Sequence, residues 1–246
     1  MLSVVLPAKD EKGNIGLLIR EIAGVLAPSQ RFEIVVVDDA STDGTGQEVL
    51  DAARDVNCEC KLIRHCQSTG QSTAVTTGVL NAEGEWIVTL DADGQNDPAD
   101  IPAMLKAAAR QQNPHFCIAG YRKNRKDTAW KRFQSQVANR IRNALLHDGV
   151  PDTGCGLKLF PRETFLRLPY FDHMHRYLPA LIKRLGGEVA IVEVNHRDRA
   201  AGVSKYNAWN RAWVGIVDLM GVIWLRRRSR IATIETVESH SVRQAS

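Results

Sequence analysis

Short apolar runs, rich in Val and Ile or bounded by turn residues, punctuate the first half of the chain: Leu2–Pro7, Phe32–Asp38, Lys61–His65, Trp86–Leu90 and Phe116–Ala119. Between them, Ile15–Leu26, Thr45–Val56, Thr73–Asn81 and Ile101–Gln112 repeat their apolar residues at the helical period. Strands alternating with helices predict an α/β fold, with a mostly parallel sheet flanked by helices. In such sheets ligands gather at the carboxyl ends of the strands. The acidic residues of this chain fall at those ends. Asp38-Asp39 closes the second run and Asp91-Ala92-Asp93 closes the fourth.

After Gly120 the pattern changes. Eight basic residues and one acidic residue, Asp127, lie between Arg122 and Arg142. Asn139 to Leu146 reads as helix, and Asp152–Phe160 as a loop entering another strand. Tyr177–Leu185 reads as helix, Glu188–Asn195 as strand and Ala208–Leu225 as an amphipathic helix. A boundary near Gly120 divides residues 1–207 into halves, 1–120 and 121–207, and the second half is expected to pack on the same sheet. Residues 208–230 form the closing helix and 231–246 a polar tail.

Composition narrows the classes. Apolar residues make up 44% and charged residues 24%, enough for a substantial core, which argues against disorder. The net charge of +4 points to no nucleic-acid partner by itself. The five cysteines show no zinc-site spacing, and an odd count disfavours a secreted disulfide framework; reduced thiols in a cytosolic setting are expected. The first residues carry neither a basic flank nor a long apolar run, so no signal peptide is expected. The apolar stretch Trp213 to Leu225, interrupted by Asp218, would be about 20 Å long as a helix, short of a hydrocarbon core of about 30 Å.

Asp91 and Asp93 project from a strand end and continue into Gly94-Gln95-Asn96-Asp97-Pro98. Two carboxylates one residue apart can share a hard divalent ion and leave positions for water and phosphate. Alone, Asp-x-Asp is also a common turn. A second acidic pair on the neighbouring strand end favours a cleft. Within Asp38-Asp39-Ala40-Ser41-Thr42-Asp43-Gly44-Thr45, the cap of the next helix is assigned to Ser41–Asp43 and a ribose or base contact to Asp39.

Val4-Val5-Leu6-Pro7 through Asp10-Glu11, then Val36 to Thr45, then Asp91-Ala92-Asp93-Gly94-Gln95 resemble family 2 glycosyltransferases of the GT-A fold. Within these the chain looks most like the polyprenol-phosphate branch typified by dolichol-phosphate mannose synthase. The resemblance covers about residues 2 to 207 and departs at Lys9-Asp10, where many relatives carry an aromatic residue and Asn. It makes 1–120 the nucleotide-sugar half and 121–207 the acceptor half. It implies that Pro7, Glu11 and Asp39 hold the nucleoside, and that Asp91, Asp93 and Gln95 hold Mg2+ or Mn2+ on the donor diphosphate. Arg122, Arg132 and Ser135 would bind an acceptor phosphate, with His175 and Arg176 beside them. Arg199 and Lys205 would close on the donor, and Lys158 stands where relatives often carry a phosphate-binding Arg.

A hydroxyl acceptor needs a general base, and no late acidic pair lies between Asp152 and Gly187. A phosphate monoester, with a second pKa of about 6, attacks without one. The expected reaction is therefore inverting, metal-dependent transfer from a GDP- or UDP-sugar to dolichyl or undecaprenyl phosphate. Asp91, Asp93, Arg122 and Arg132 would be the catalytic residues. Transfer to a saccharide hydroxyl is the alternative enzyme reading, and a non-catalytic module recognising anionic lipid or nucleic acid is the alternative of another class. His175 reads as base, phosphate contact or helix start. Trp209, Trp213 and Trp224 beside Arg226-Arg227-Arg228 and Arg230 suit either a lipid interface on the cytoplasmic membrane face or a core or homo-oligomer contact.

Overall fold

The computed structural model describes residues 1–123, 140, 142–197 and 208–228. Seven strands form one sheet: β1 (Leu2–Ala8), β2 (Phe32–Asp38), β3 (Cys60–Arg64), β4 (Trp86–Thr89), β5 (Phe116–Arg122), β6 (Lys158–Pro161) and β7 (Glu188–Val194). Their spatial order is β3-β2-β1-β4-β6-β5-β7. β6 pairs antiparallel with β4 and β5, and the other pairings are parallel. Gly120 lies inside β5, which pairs with β7 from Phe116↔Glu188 to Arg122↔Val194, so residues on either side of position 120 share one sheet. That pairing also carries β5 three residues beyond the apolar run that predicts it.

The described helices include α1 (Ile15–Leu26), α2 (Thr45–Val56), α3 (Gln71–Asn81), α4 (Ile101–Ala108), α5 (Arg162–Leu166), α6 (Leu178–Arg184) and α7 (Ala208–Arg227), and residues 142–146 are helical as well. The inner strands bury both faces. On β1, Leu2, Val4 and Leu6 join α1, α2 and α4 in one core through Ile15, Ile22, Val49 and Met104. Val5 points the other way and joins Val75 and Val79 of α3, Leu178 and Leu181 of α6 and Val222 of α7. The period of two in the strands thus meets the helical period on each side.

At the amino ends of the parallel strands the sheet is fastened by a buried carboxylate. Ser3 Oγ donates to Glu33 Oε1 at 2.5 Å, the Glu83 N–H donates to the same oxygen at 2.6 Å, and Lys61 Nζ lies 3.0 Å from Oε2. Burial opposes the charge on Glu33, but these bonds win and hold its carboxyl below the ordinary value.

Candidate active site

Connections leave β1 and β4 in opposite directions, which opens a crevice at their carboxyl ends. A small pocket lies there, lined by Pro7, Gln71, Thr89, Asp91, Lys158 and His175, with Gly156 and Leu178 completing its wall. Because β6 runs antiparallel, the loop that precedes it reaches the same crevice.

Asp91 begins the turn after β4. Its N–H donates to Asn96 Oδ1 at 3.1 Å, and Gln71 Nε2 donates to Asp91 Oδ1 at 2.8 Å. Asp93 Oδ1 accepts the Gln95 N–H at 3.1 Å, and Gly94 at φ +74° completes the bend. Burial and the neighbouring Asp93 push the Asp91 carboxyl upward, while Lys158, Arg122 and the Gln71 bond pull against them. Gly156 lies so close that a Cβ there would fall 2.3 Å from Asp91 Oδ2. Lys158 is 3% exposed and donates to the carbonyls of Cys155 and Thr153, so it supports the loop as well as facing the pocket. Asp91 and Asp93 offer hard oxygen atoms and repel each other, a donor set that suits Mg2+ or Mn2+. Among the described residues they form a pair rather than a cluster of three or more candidate ligands.

Asp39, at the end of β2, is 4% exposed. Its Oδ1 accepts the Thr69 N–H at 2.8 Å and lies 2.9 Å from His65 Nδ1; its Oδ2 accepts Ser68 Oγ at 2.7 Å and the Gly70 N–H at 3.0 Å. Burial works against this charge, but the bonds from Thr69, His65, Ser68 and Gly70 hold the carboxyl far below its usual range. The assigned ribose or base contact thus already ties down the loop from 65 to 70. His65 Nε2 in turn lies 3.0 Å from Thr77 Oγ1 on α3. Glu11 Oε2 accepts Asn14 Nδ2 at 2.8 Å, and Pro7 lines the pocket. The expected α2 cap shifts by one residue. Gly44 occupies the cap position at φ +92°, while Asp43 Oδ1 accepts the Thr45 N–H at 2.9 Å.

Arg122 is already paired with a carboxylate. Its Nε and Nη2 donate to the two oxygens of Asp152 at 2.7 and 2.9 Å, and the pair is largely buried. Such a fork holds the guanidinium in place beside Asp91. His175 Nδ1 lies 2.7 Å from Ser72 Oγ, and burial together with Arg176, Lys158 and His173 pushes the imidazole well below its usual value. A neutral ring bound to a hydroxyl fits a positioning role better than a cationic phosphate contact. Arg176 sits half-buried in the same turn. Arg132, Ser135, Arg199 and Lys205 lie outside the described residues. Gln71, Ser72 and Gly156 were not singled out by the sequence pattern. Gly156 carried a signal in its Gly-Cys-Gly setting, but Gln71 and Ser72 carried none.

α7 is not amphipathic in the expected sense. Val222, Leu219 and Leu225 pack on the core, yet Ile216, Val217, Met220 and Trp224 on other faces are 51–66% exposed. Arg226 donates to the Leu146 carbonyl, Arg228 lies over the Trp224 ring at 5.9 Å, and Arg227 and Arg228 are exposed. No helix among the described residues is long and apolar enough to cross a membrane. The five cysteines are free, with Cys117 and Cys155 buried and Cys66 exposed.

The mostly parallel sheet, its switch-point pocket and the carboxylate turn after β4 are the features of the GT-A fold. Residues 3–168 match the model of Glycosyl transferase family 2, and the chain belongs to that family. It is 31% identical over 92% of its length to dodecaprenyl-phosphate galacturonate synthase of Rhizobium johnstonii, covering 67% of that protein. It is 30% identical over 85% of its length to undecaprenyl-phosphate 4-deoxy-4-formamido-L-arabinose transferase of Pseudomonas paraeruginosa, covering 61% of that one. The chain thus spans about two thirds or less of the length of these curated relatives. Among solved structures, glucosyl-3-phosphoglycerate synthase of Mycobacterium tuberculosis, with Mg2+ and uridine diphosphate bound, superposes with a TM-score of 0.69 at 18% identity. That superposition covers 92% of this chain and 79% of the other, and it shows the shared fold.

Proposed function

We propose that the chain transfers one sugar, with inversion, from a UDP- or GDP-sugar to a polyprenyl phosphate at the cytoplasmic face of a membrane, with Mg2+ or Mn2+ as cofactor. The observation that carries this reading is the pocket that Asp91 and Lys158 line together, with the charges of Asp93 and Arg122 acting on the Asp91 carboxyl. The acidic pair would hold the divalent ion, which when bound offsets charge on the departing diphosphate. Pro7, Glu11 and Asp39 line the nucleoside side, and Arg122 with Arg132, Ser135 and Arg176 serves the acceptor phosphate. Gln71 fixes the orientation of Asp91, and Lys158 supplies a resident positive charge under the diphosphate. Arg199 and Lys205 complete the donor side. The acceptor phosphate, already anionic at neutral pH, attacks without losing a proton, so the neutral His175 needs no part as base. The names of the two relatives support the lipid phosphate as acceptor. The Mn2+, Mg2+ and uridine diphosphate in the solved neighbours support the metal and the donor class. The exposed apolar face of α7 beside Arg227 and Arg228 supports a peripheral seat on anionic lipid.

The test incubates the purified protein with undecaprenyl phosphate, Mn2+ or Mg2+ and a panel of UDP- and GDP-sugars, and weighs the products. A lipid-linked monosaccharide that disappears with chelator is the expected result. Sugar found only on a saccharide would favour the hydroxyl-acceptor reading. Absence of turnover with every donor would leave a non-catalytic lipid-binding module.

A further inference from the structure

The turn that carries His175 is braced from behind by the last helix. His173, in the left-handed region at φ +63°, places Nδ1 3.2 Å from Asp218 Oδ2 on α7. Asp218 is 15% exposed in its side chain, and no hydrogen-bond donor among the described residues otherwise reaches that oxygen. Four residues on, Tyr177 Oη donates to the Gly215 carbonyl at 3.2 Å, one helical turn before Asp218. Between these two fastenings lies the short turn Met174–Arg176. From it His175 reaches forward to α3, where its N–H and its Nδ1 both meet Ser72 Oγ, at 3.3 and 2.7 Å. Ser72 follows Gln71, whose amide holds Asp91. The contacts run without a gap from α7 to the carboxylate of the pocket.

We propose that Asp218 and His173 are positioning residues, through which α7 sets the place of His175 and thereby of the Ser72–Gln71 end of α3. The kinetic consequence of this coupling rests on the transferase reading; the coupling itself does not. A charged carboxylate that is largely buried on a helix otherwise apolar at Ile216, Val217, Leu219, Met220 and Val222 is costly unless it is paired. Its facing groups are His173, Asp172, Arg176 and Tyr177. Of these, His173 lies within 3.2 Å and belongs to the turn that lines the pocket. Two fastenings four residues apart restrain both ends of that turn, which a single contact would not do.

The test compares Asp218→Ala, Asp218→Asn and His173→Gln with wild type in the full chain. One readout is the nitrogen-15 signals of the His175 ring, which report its bond to Ser72 and need no turnover. In Asp218→Ala and His173→Gln these signals should move, with the melting temperature nearly kept. Asp218→Asn, which retains an oxygen facing His173, should restore the wild-type signals. In the transfer assay Asp218→Ala should lower kcat about three- to thirty-fold, the range of a contact-borne coupling, with the KM for the sugar nucleotide unchanged. Unmoved His175 signals in Asp218→Ala would overturn the proposal. So would equal loss of folding in Asp218→Ala and Asp218→Asn, which would make the pair a core support. If wild type transfers no sugar, the function proposed above fails, while the ring signals still decide the coupling.

Discussion

Gly156→Ala isolates what the Asp91 carboxylate does at its position. The substitution needs no unusual backbone angle, since Gly156 does not occupy the left-handed region. Its new Cβ would fall 2.3 Å from Oδ2, 2.4 Å from Cγ and 2.5 Å from Oδ1 of Asp91. Carbon contacts relax near 3.5 Å, so the carboxylate must retreat by about 1 Å and give up its bond to Gln71. Misplacement by about 1 Å costs roughly a hundredfold in rate, or about 2.7 kcal/mol of barrier. Overpacking of this kind costs about 1–3 kcal/mol of stability, a fall in melting temperature of roughly 2–12 °C for a chain of this size. Gly154→Ala is the matched control. There the nearest atoms are Arg122 Nη2 at 3.3 Å, which must give by a few tenths of an ångström, and Asp152 Oδ1 at 3.6 Å, an ordinary contact. Metal-dependent turnover and calorimetry on both variants make the measurement. Gly156→Ala with a native melting curve and turnover within about threefold of wild type would remove Asp91 from the chemistry, because a displacement of this size is not tolerated at a reacting centre.

Glu33→Gln keeps an acceptor for Ser3 and Glu83 but removes the charge that Lys61 meets. It should cost about 1–2 kcal/mol at neutral pH. Because the folded Glu33 carboxyl lies below its ordinary value of 4.5, the charge contribution is present above that value and lost as the pH falls below it. The deficit should therefore shrink in acid denaturation series, and a deficit independent of pH would contradict the account. Arg227→Gln with Arg228→Gln should weaken binding to anionic vesicles by about 1 kcal/mol per arginine at low salt, and by less as salt rises. Equal co-sedimentation of wild type and variant would mean that the arginines do not anchor α7.

β1, β2 and β4 were legible because each is an apolar run rich in branched residues, and the acids that follow β2 and β4 marked the crevice. The Asp91–Asp93 turn was legible for the same reason, being local. α5 was not, because Arg162–Leu166 spans little more than one turn and has no room for a periodic signature. Nor was the bond from His175 to Ser72, which joins residues 103 apart in the chain. Such contacts come from the strand order, and local pattern does not encode it. The same holds for the fork that Arg122 makes. Its bidentate partner, Asp152, arrives across the sheet with the loop before β6. α7 misled in another way, since its apolar residues are spread around its circumference instead of gathering on one face.

The antiparallel course of β6 has a consequence for how this protein can change. Reversing that single strand brings the segment before it to the rim where β1 and β4 end, and sends the segment after it to the opposite rim. The two rims then carry separate duties. At one, Asp91, Lys158 and His175 crowd together around the pocket. At the other, Glu33, Ser3, Lys61 and the Glu83–Gly84 backbone fasten the sheet a full strand length away. Stabilising substitutions are often costly because they stiffen the parts that must work. Here the residues that fasten the sheet share no side chain with those that line the pocket, so substitutions at the two rims need not act on the same property.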